Sequence, residues 1–163
     1  MKRIFILTAL FLAAAIGEAM AGAAPACPGV RLNSTTITST FNDKLLCASK
    51  PSATSNRDRW AEEHMNGGQL YEHAKGSSDK VDPRRLAGTW AAVKNTGNDD
   101  LIRYNYGTGG TYNWGVWEDK TKGGPSGPAT SVFHFCDSAG TTKVASGTVR
   151  ALPSASDPNP CGY

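Results

Sequence analysis

The densest group of side chains able to do acid–base or metal chemistry lies in the middle of the chain. Glu62, Glu63 and His64 are consecutive, and Glu72 and His73 follow after a pair of glycines. Carboxylates beside imidazoles can ligate a metal or act as an acid–base pair. The spacing differs from the HExxH arrangement, which puts two imidazoles on one helical face. We therefore expect solvated charges, no metal and no cofactor, and keep a hydrolase using the first three residues as an alternative.

The third histidine carries no stronger catalytic signal. His134 lies between Phe133 and Phe135 on an apolar stretch, which is typical of a hydrogen-bonded interior or half-buried histidine. The chain has no GxSxG nucleophile motif, no phosphate-binding loop and no CxxC pair. These absences favour a protein that is not an enzyme.

Aromatic residues form the clearest pattern. Tyr104 and Tyr106 share one face of a predicted strand, Tyr112 and Trp114 share a face of the next, and Trp117 falls on the opposite face from Trp114. Such rings become cross-strand neighbours in a pleated pair, where they build either a core or a ligand-lining surface. We take all five as candidate ligand-binding residues, with Trp117 as the best candidate for an exposed ring. The ligand would be an apolar or aromatic small molecule or a glycan.

A meander of strands would position these rings. The alternating patterns and turn residues predict strands at Thr89 to Lys94, Leu101 to Tyr106, Gly110 to Trp117, Thr130 to Cys136 and Thr142 to Leu152. Upstream, the composition favours strands over Leu32 to Phe41 and Lys44 to Cys47, and a short helix from Arg57 to Met65. The predicted fold is mainly β, a small antiparallel meander or barrel-like sheet with one short helix, tied by disulfides.

The N-terminus and the cysteines indicate the compartment. Residues 1–21 have the basic start, short apolar core and small-residue end of a cleaved signal peptide, too short to span a membrane. Residues 22–163 would form one β-rich domain, with 153–163 as a tail, in an oxidising compartment reached by secretion. Four cysteines permit three pairings, of which we favour Cys47 with Cys136 and Cys27 with Cys161.

Charge limits the partners. The formal net charge of the whole chain is +3, without a long basic block, which disfavours nucleic acid as a partner. A second interpretation is an envelope structural protein or an inhibitor-like interaction protein. It would use an exposed sheet edge and the loop from Lys120 to Pro128 to contact a protein partner.

Two resemblances add to these expectations. Segments such as Arg59 to His64, Gly68 to Tyr71 and Phe133 to Cys136 resemble those of a group of small secreted proteobacterial proteins without a known activity. This resemblance implies a bacterial periplasmic or extracellular setting and no site residues.

The second resemblance concerns the start of the meander. Gly88-Thr89-Trp90 is similar to the Gly-x-Trp opening of lipocalin-like and avidin-like barrels. It implies that Trp90 closes the floor of a barrel and that Tyr104, Tyr106, Tyr112 and Trp114 line its cavity.

Overall fold

The chain folds as a closed antiparallel barrel of eight strands. The computed structural model describes residues 27–55, 58–73, 84–95, 97, 99–120, 131–154, 157 and 160–162. The strands are β1 (Val30–Arg31), β2 (Lys44–Ser49), β3 (Arg59–His64), β4 (Gln69–His73), β5 (Arg84–Val93), β6 (Leu101–Asn105), β7 (Thr111–Asp119), β8 (Val132–Cys136) and β9 (Lys143–Ala151), and the helix α1 spans Ser34–Phe41.

The barrel is an up-and-down meander. Strands β2 to β9 pair in chain order, and β9 pairs with β2 to close the ring. The short β1 adds to the free part of the β7 edge, at Trp117 and Glu118. The mainly β, disulfide-tied fold with one short helix is thus confirmed, and closure gives each of the eight barrel strands two neighbours. Unpaired edges nevertheless remain among the described residues, because β1 pairs only with β7 and residues 111–114 of β7 pair with β6 but not with β8.

The helix stands where the sequence predicts a strand. The composition of Leu32 to Phe41 favours an extended chain, but Asn33 caps a helix there, its side chain accepting a hydrogen bond from the Thr36 backbone N–H at 2.8 Å. Ile37 and Phe41, four residues apart, are fully buried in the core. The helix packs on β2, β5 and β6 across one end of the barrel, and this burial outweighs the β propensity of a Thr-rich segment.

A strand stands where the sequence predicts the helix. The expected helix over Arg57 to Met65 is wrong, because β3 pairs with β2 on one side and β4 on the other. Local helix propensity is a weak preference, and two flanking strands satisfy the backbone of this segment. The strand turns Glu62 and His64 towards the interior and Ala61 and Glu63 to the outer face.

Both disulfides differ from the favoured pairing. The structure joins Cys27 to Cys136 and Cys47 to Cys161. All four cysteines are therefore bonded, but each is bonded to a different cysteine from the one predicted. The pairing of β1 with β7 brings Cys27 to the end of β8, where it packs with Cys136 and Trp117. The C-terminal segment instead crosses the outer face of β2 and β3, beside Leu45 and Ala61.

One close approach depends on a glycine. A Cβ atom on Gly88 would lie 2.0 Å from the backbone oxygen of Asn105 on β6. Two residues later, Trp90 is buried and donates its indole N–H to the backbone oxygen of Met65 at 3.1 Å. Trp90 thus belongs to the core layer that α1 covers.

The predicted signal peptide lies outside the described residues, as does nearly all of the Lys120 to Pro128 loop. In the described part of the chain, no helix is long and apolar enough to cross a membrane.

Candidate ligand-binding cavity

A cavity of about 440 Å³ lies inside the barrel. Tyr112 is 45% exposed and lines it, so the cavity reaches the protein surface. Its walls combine aromatic rings, aliphatic side chains and a few ionisable groups, contributed by Leu46, Lys50, Trp60, Glu62, Glu72, Tyr104, Tyr106, Tyr112, Trp114, Phe135, Val144 and Ala145. Mostly apolar concave sites with few polar groups are typical of small-molecule binding.

Strands β6 and β7 supply a wall of rings. Tyr104 and Tyr106 are stacked with their centroids 6.2 Å apart, and Tyr112 and Trp114 are stacked at 6.3 Å. Tyr106 meets Tyr112 edge to face at 6.0 Å, which links the two pairs into one surface. The structure therefore brings four of the five sequence-predicted residues together around the cavity.

Trp117, the fifth predicted residue, lies elsewhere. Its side chain is 9% exposed and packs against the Cys27–Cys136 disulfide on the outer side of β7. The guanidinium of Arg31 lies 4.9 Å from the centre of the Trp117 ring. Trp117 does face away from Trp114, as alternation predicts, but the N-terminal segment covers it instead of leaving it exposed.

Two carboxylates face the cavity from neighbouring strands. Glu62 on β3 and Glu72 on β4 are register partners, and both line the cavity. The Tyr106 hydroxyl donates a hydrogen bond to Glu62 Oε1 at 2.5 Å. One acidic group is therefore held against the aromatic wall, while the other sits beside it across the strand pair.

Burial raises the pKa of Glu62 to about 7, a net value that includes the lowering effect of the Tyr106 hydrogen bond and the raising effect of the nearby Glu72 carboxylate. The pKa of Tyr106 is raised by its own burial and by Glu62, so its hydroxyl stays protonated and remains a donor. Near neutral pH, Glu62 can therefore exchange its proton in response to a charge that enters the cavity.

His64 lies deeper in the barrel than Glu62. It is fully buried, its Nε2 is hydrogen bonded to the Tyr104 hydroxyl at 3.0 Å, and its ring packs against Phe41 and Trp90. Burial lowers the pKa of His64 to about 3, so the imidazole is neutral at ordinary pH. It is an interior polar group of the core.

The hydrolase constellation does not assemble. Glu62 faces the cavity, whereas Glu63 faces outwards, where its Oε1 lies 2.7 Å from His73 Nε2 and its Oε2 accepts from Arg84 Nε at 2.8 Å. Opposite faces of one strand separate Glu62 and His64 from Glu63. Among the described residues, no group of three or more histidine, cysteine or acidic side chains is placed to hold a metal ion.

The remaining histidine also lies outside the cavity. His134 is 5% exposed, and its Nε2 lies 3.8 Å from Asp119 Oδ2. It pairs across the strands with Trp117. The expectation of a buried or half-buried histidine is met.

Sequence reasoning missed the β3–β4 half of the cavity. Local composition places Trp60, Glu62 and Glu72 in short helical or turn elements, so none of them is predicted to face the aromatic rings. The signal is alternation: Trp60, Glu62 and His64 are spaced by two and share the interior face of β3. Applying a period of two to this segment would have found them.

Comparisons with protein-family models, curated proteins and solved structures found no match for this chain. The chemistry of the cavity is therefore the basis for assigning a function.

Proposed function

We propose that this protein is a binding domain that takes a small apolar or aromatic molecule or a sugar ring into the barrel cavity. The observation that carries this proposal is the cavity of about 440 Å³ beside two linked pairs of stacked rings. Rings left at the edge of a cavity supply stacking area with little loss of side-chain freedom on binding. We also propose that the domain works without catalysis.

The compartment is part of the same proposal. Both disulfides link cysteines more than a hundred positions apart, at separations of 109 and 114 residues. Such bonds persist in oxidising compartments, and residues 1–21 have the pattern of a signal peptide. These features, with the resemblance to small secreted proteobacterial proteins, support a periplasmic or extracellular location in a bacterium.

Nile red, a neutral apolar dye whose emission rises in a dry site, tests the binding function. We expect saturable binding to the native protein. Trp114→Phe, inside the cavity, should weaken binding, whereas Trp117→Phe, outside it, should leave the affinity unchanged. An equal effect of the two substitutions on the affinity for the dye would contradict the proposal.

A further inference from the structure

We propose that the ligand is an organic ammonium ion, whose positive group lies between Glu62 and Glu72 while its apolar part packs on the rings of the cavity. The inference rests on the proposed binding function and names the class of ligand. It follows from three features of the cavity: the charge that its walls leave unbalanced, the position of the rings, and the depth of one carboxylate.

The protein's own cations do little to neutralise the negative charges of Glu62 and Glu72, the acidic pair of the cavity. Glu62 is 4% exposed and, among the described residues, forms no ion pair. Glu72 has a single long contact of 3.4 Å with Arg85, whose side chain is 62% exposed. Lys50 lines the cavity but is paired with Asp58 at 3.2 Å, outside the lining. Of the two cations near these acidic groups, Arg85 is thus weakly engaged and Lys50 is engaged by Asp58.

A cation is the ligand charge that suits this arrangement. Burying a carboxylate without a cation beside it is costly even where a hydroxyl donates to it, as Tyr106 does to Glu62, and a bound ammonium group lowers that cost. An anionic ligand would instead add a third negative charge to the pair. A neutral ligand would leave the charge of the pair unchanged.

The aromatic rings of the cavity also favour a positively charged ligand. Trp60, Tyr106, Tyr112 and Trp114 line the cavity together with the acidic pair. Faces of such rings attract an ammonium group within about 6 Å of their centres, more strongly when water is excluded. Tyr106 combines both roles, because its hydroxyl holds Glu62 Oε1 while its ring borders the cavity.

Much of the remaining wall is apolar. Leu46, Phe135, Val144 and Ala145 line the cavity and carry no charge, and Leu46 is the cross-strand partner of Glu62. A ligand that carries its charge at one end and an aryl or alkyl group at the other therefore matches both parts of the wall. A primary amine suits the site best, because its N–H groups can donate to both carboxylates.

Three probes with a shared skeleton test this assignment by isothermal titration calorimetry at about pH 8. They are phenethylammonium, phenethyl alcohol and hydrocinnamate, which are cationic, neutral and anionic. We expect phenethylammonium to bind at least about tenfold more tightly than the alcohol, since a hydrogen bond between two charged groups is stronger than one from a neutral hydroxyl. Hydrocinnamate should bind most weakly.

Variants that each remove one negative charge then show which carboxylates bind the ammonium group. Glu72→Gln and Glu62→Gln should each weaken phenethylammonium binding by about tenfold or more. The affinity of these variants for phenethyl alcohol should change by no more than about twofold. Glu118→Gln is the matched control, because Glu118 lies outside the cavity lining and pairs with Lys120 at 3.5 Å. It should leave both affinities unchanged. Glu72→Gln is the variant less prone to a folding defect, because the Glu72 side chain is 28% exposed.

The outcomes separate the two proposals. Equal affinity for phenethylammonium and phenethyl alcohol would overturn the ammonium assignment and leave the cavity as a binding site. The ammonium assignment is likewise overturned if Nile red binds and all three probes fail, or if Glu72→Gln weakens only the alcohol. Failure of Nile red and of all three probes would overturn the binding function itself.

Discussion

Replacing the buried Glu62 by glutamine should change how the stability of the protein depends on pH. The pKa of Glu62 is raised from 4.5 to about 7, so between these values the folded protein holds a proton that the unfolded chain has released. Stability therefore falls as the pH rises through this interval. At about 1.4 kcal/mol for each pKa unit, the ionised carboxylate costs the folded state about 3 kcal/mol above pH 7.

His64 acts in the opposite direction. Its pKa is lowered from 6.5 to about 3, so below pH 6.5 the unfolded chain binds a proton that the folded protein does not. Stability contributed by neutral His64 is present above pH 6.5 and is lost as the pH falls towards 3. Between about pH 4.5 and 6.5 the two slopes oppose each other, and the wild-type contributions of Glu62 and His64 cancel.

Urea unfolding of the wild type and Glu62→Gln across about pH 4.5 to 8 measures directly how the difference in their free energies of unfolding depends on pH. The variant should gain stability relative to the wild type as the pH rises, by about 3 kcal/mol in total, because glutamine has no charge to bury. Titrating groups that do not interact with Glu62 cancel in this difference. Parallel stability curves for the two proteins would refute the assignment of a raised pKa to Glu62.

A spectroscopic titration gives an independent check on the same carboxyl group. Its carbon NMR signal should titrate near pH 7 in the wild type. In Tyr106→Phe the midpoint should move upwards, because the tyrosine hydroxyl stabilises the ionised carboxylate by donating to it. A downward shift, or a wild-type midpoint near 4.5, would contradict the described environment.

Three further expectations concern the frame of the barrel. Gly88→Ala should destabilise the protein by more than about 1 kcal/mol in urea unfolding, because the new methyl group meets a backbone oxygen at 2.0 Å; an unchanged midpoint would refute that contact. Replacing Cys47 and Cys161 together by serine should cost about 2–4 kcal/mol of unfolding free energy, and peptide mapping under non-reducing conditions should join these two cysteines in the native protein. Tyr104→Phe should cost about 1–3 kcal/mol, since it leaves buried His64 without its hydroxyl partner, and no loss of stability would show that the hydrogen bond contributes little.

The strands after Trp90 were predictable because their side chains alternate. Tyr104 is buried and Arg103 is exposed, as a half-buried strand requires. The same alternation placed Tyr112 and Trp114 on one face, and this half of the cavity followed from it. The local pattern was sufficient there because each strand pairs with its neighbour in the chain.

The first half of the chain was harder because tertiary contacts decide its structure. Residues 34–41 are rich in threonine, yet burial of Ile37 and Phe41 at the end of the barrel selects a helix. Charged residues in β3 suggest a solvated helix until pairing with β2 and β4 is known. Burial of a charged residue such as Glu62 breaks the usual pattern, which is what a functional site often does.

Disulfide connectivity was also beyond local reasoning. It depends on where the chain ends lie against the barrel, and that is set by long-range pairing. Val30 and Arg31 pair with Glu118 and Trp117, which draws Cys27 to Cys136. The spacing of the cysteines along the sequence does not reveal the register of β1 on β7.

Blocking the cavity tests the central claim, that the interior of the barrel is the ligand site, most directly. Ala145 lines the cavity at 6% exposure, and Ala91 is exposed on the outer face of β5. Phenylalanine at position 145 would occupy space that the ligand needs, whereas the same change at 91 adds a ring to the surface. The affinity of Nile red should fall sharply in Ala145→Phe and stay at the wild-type value in Ala91→Phe, with both variants folded by circular dichroism. Undiminished binding to folded Ala145→Phe would contradict the account.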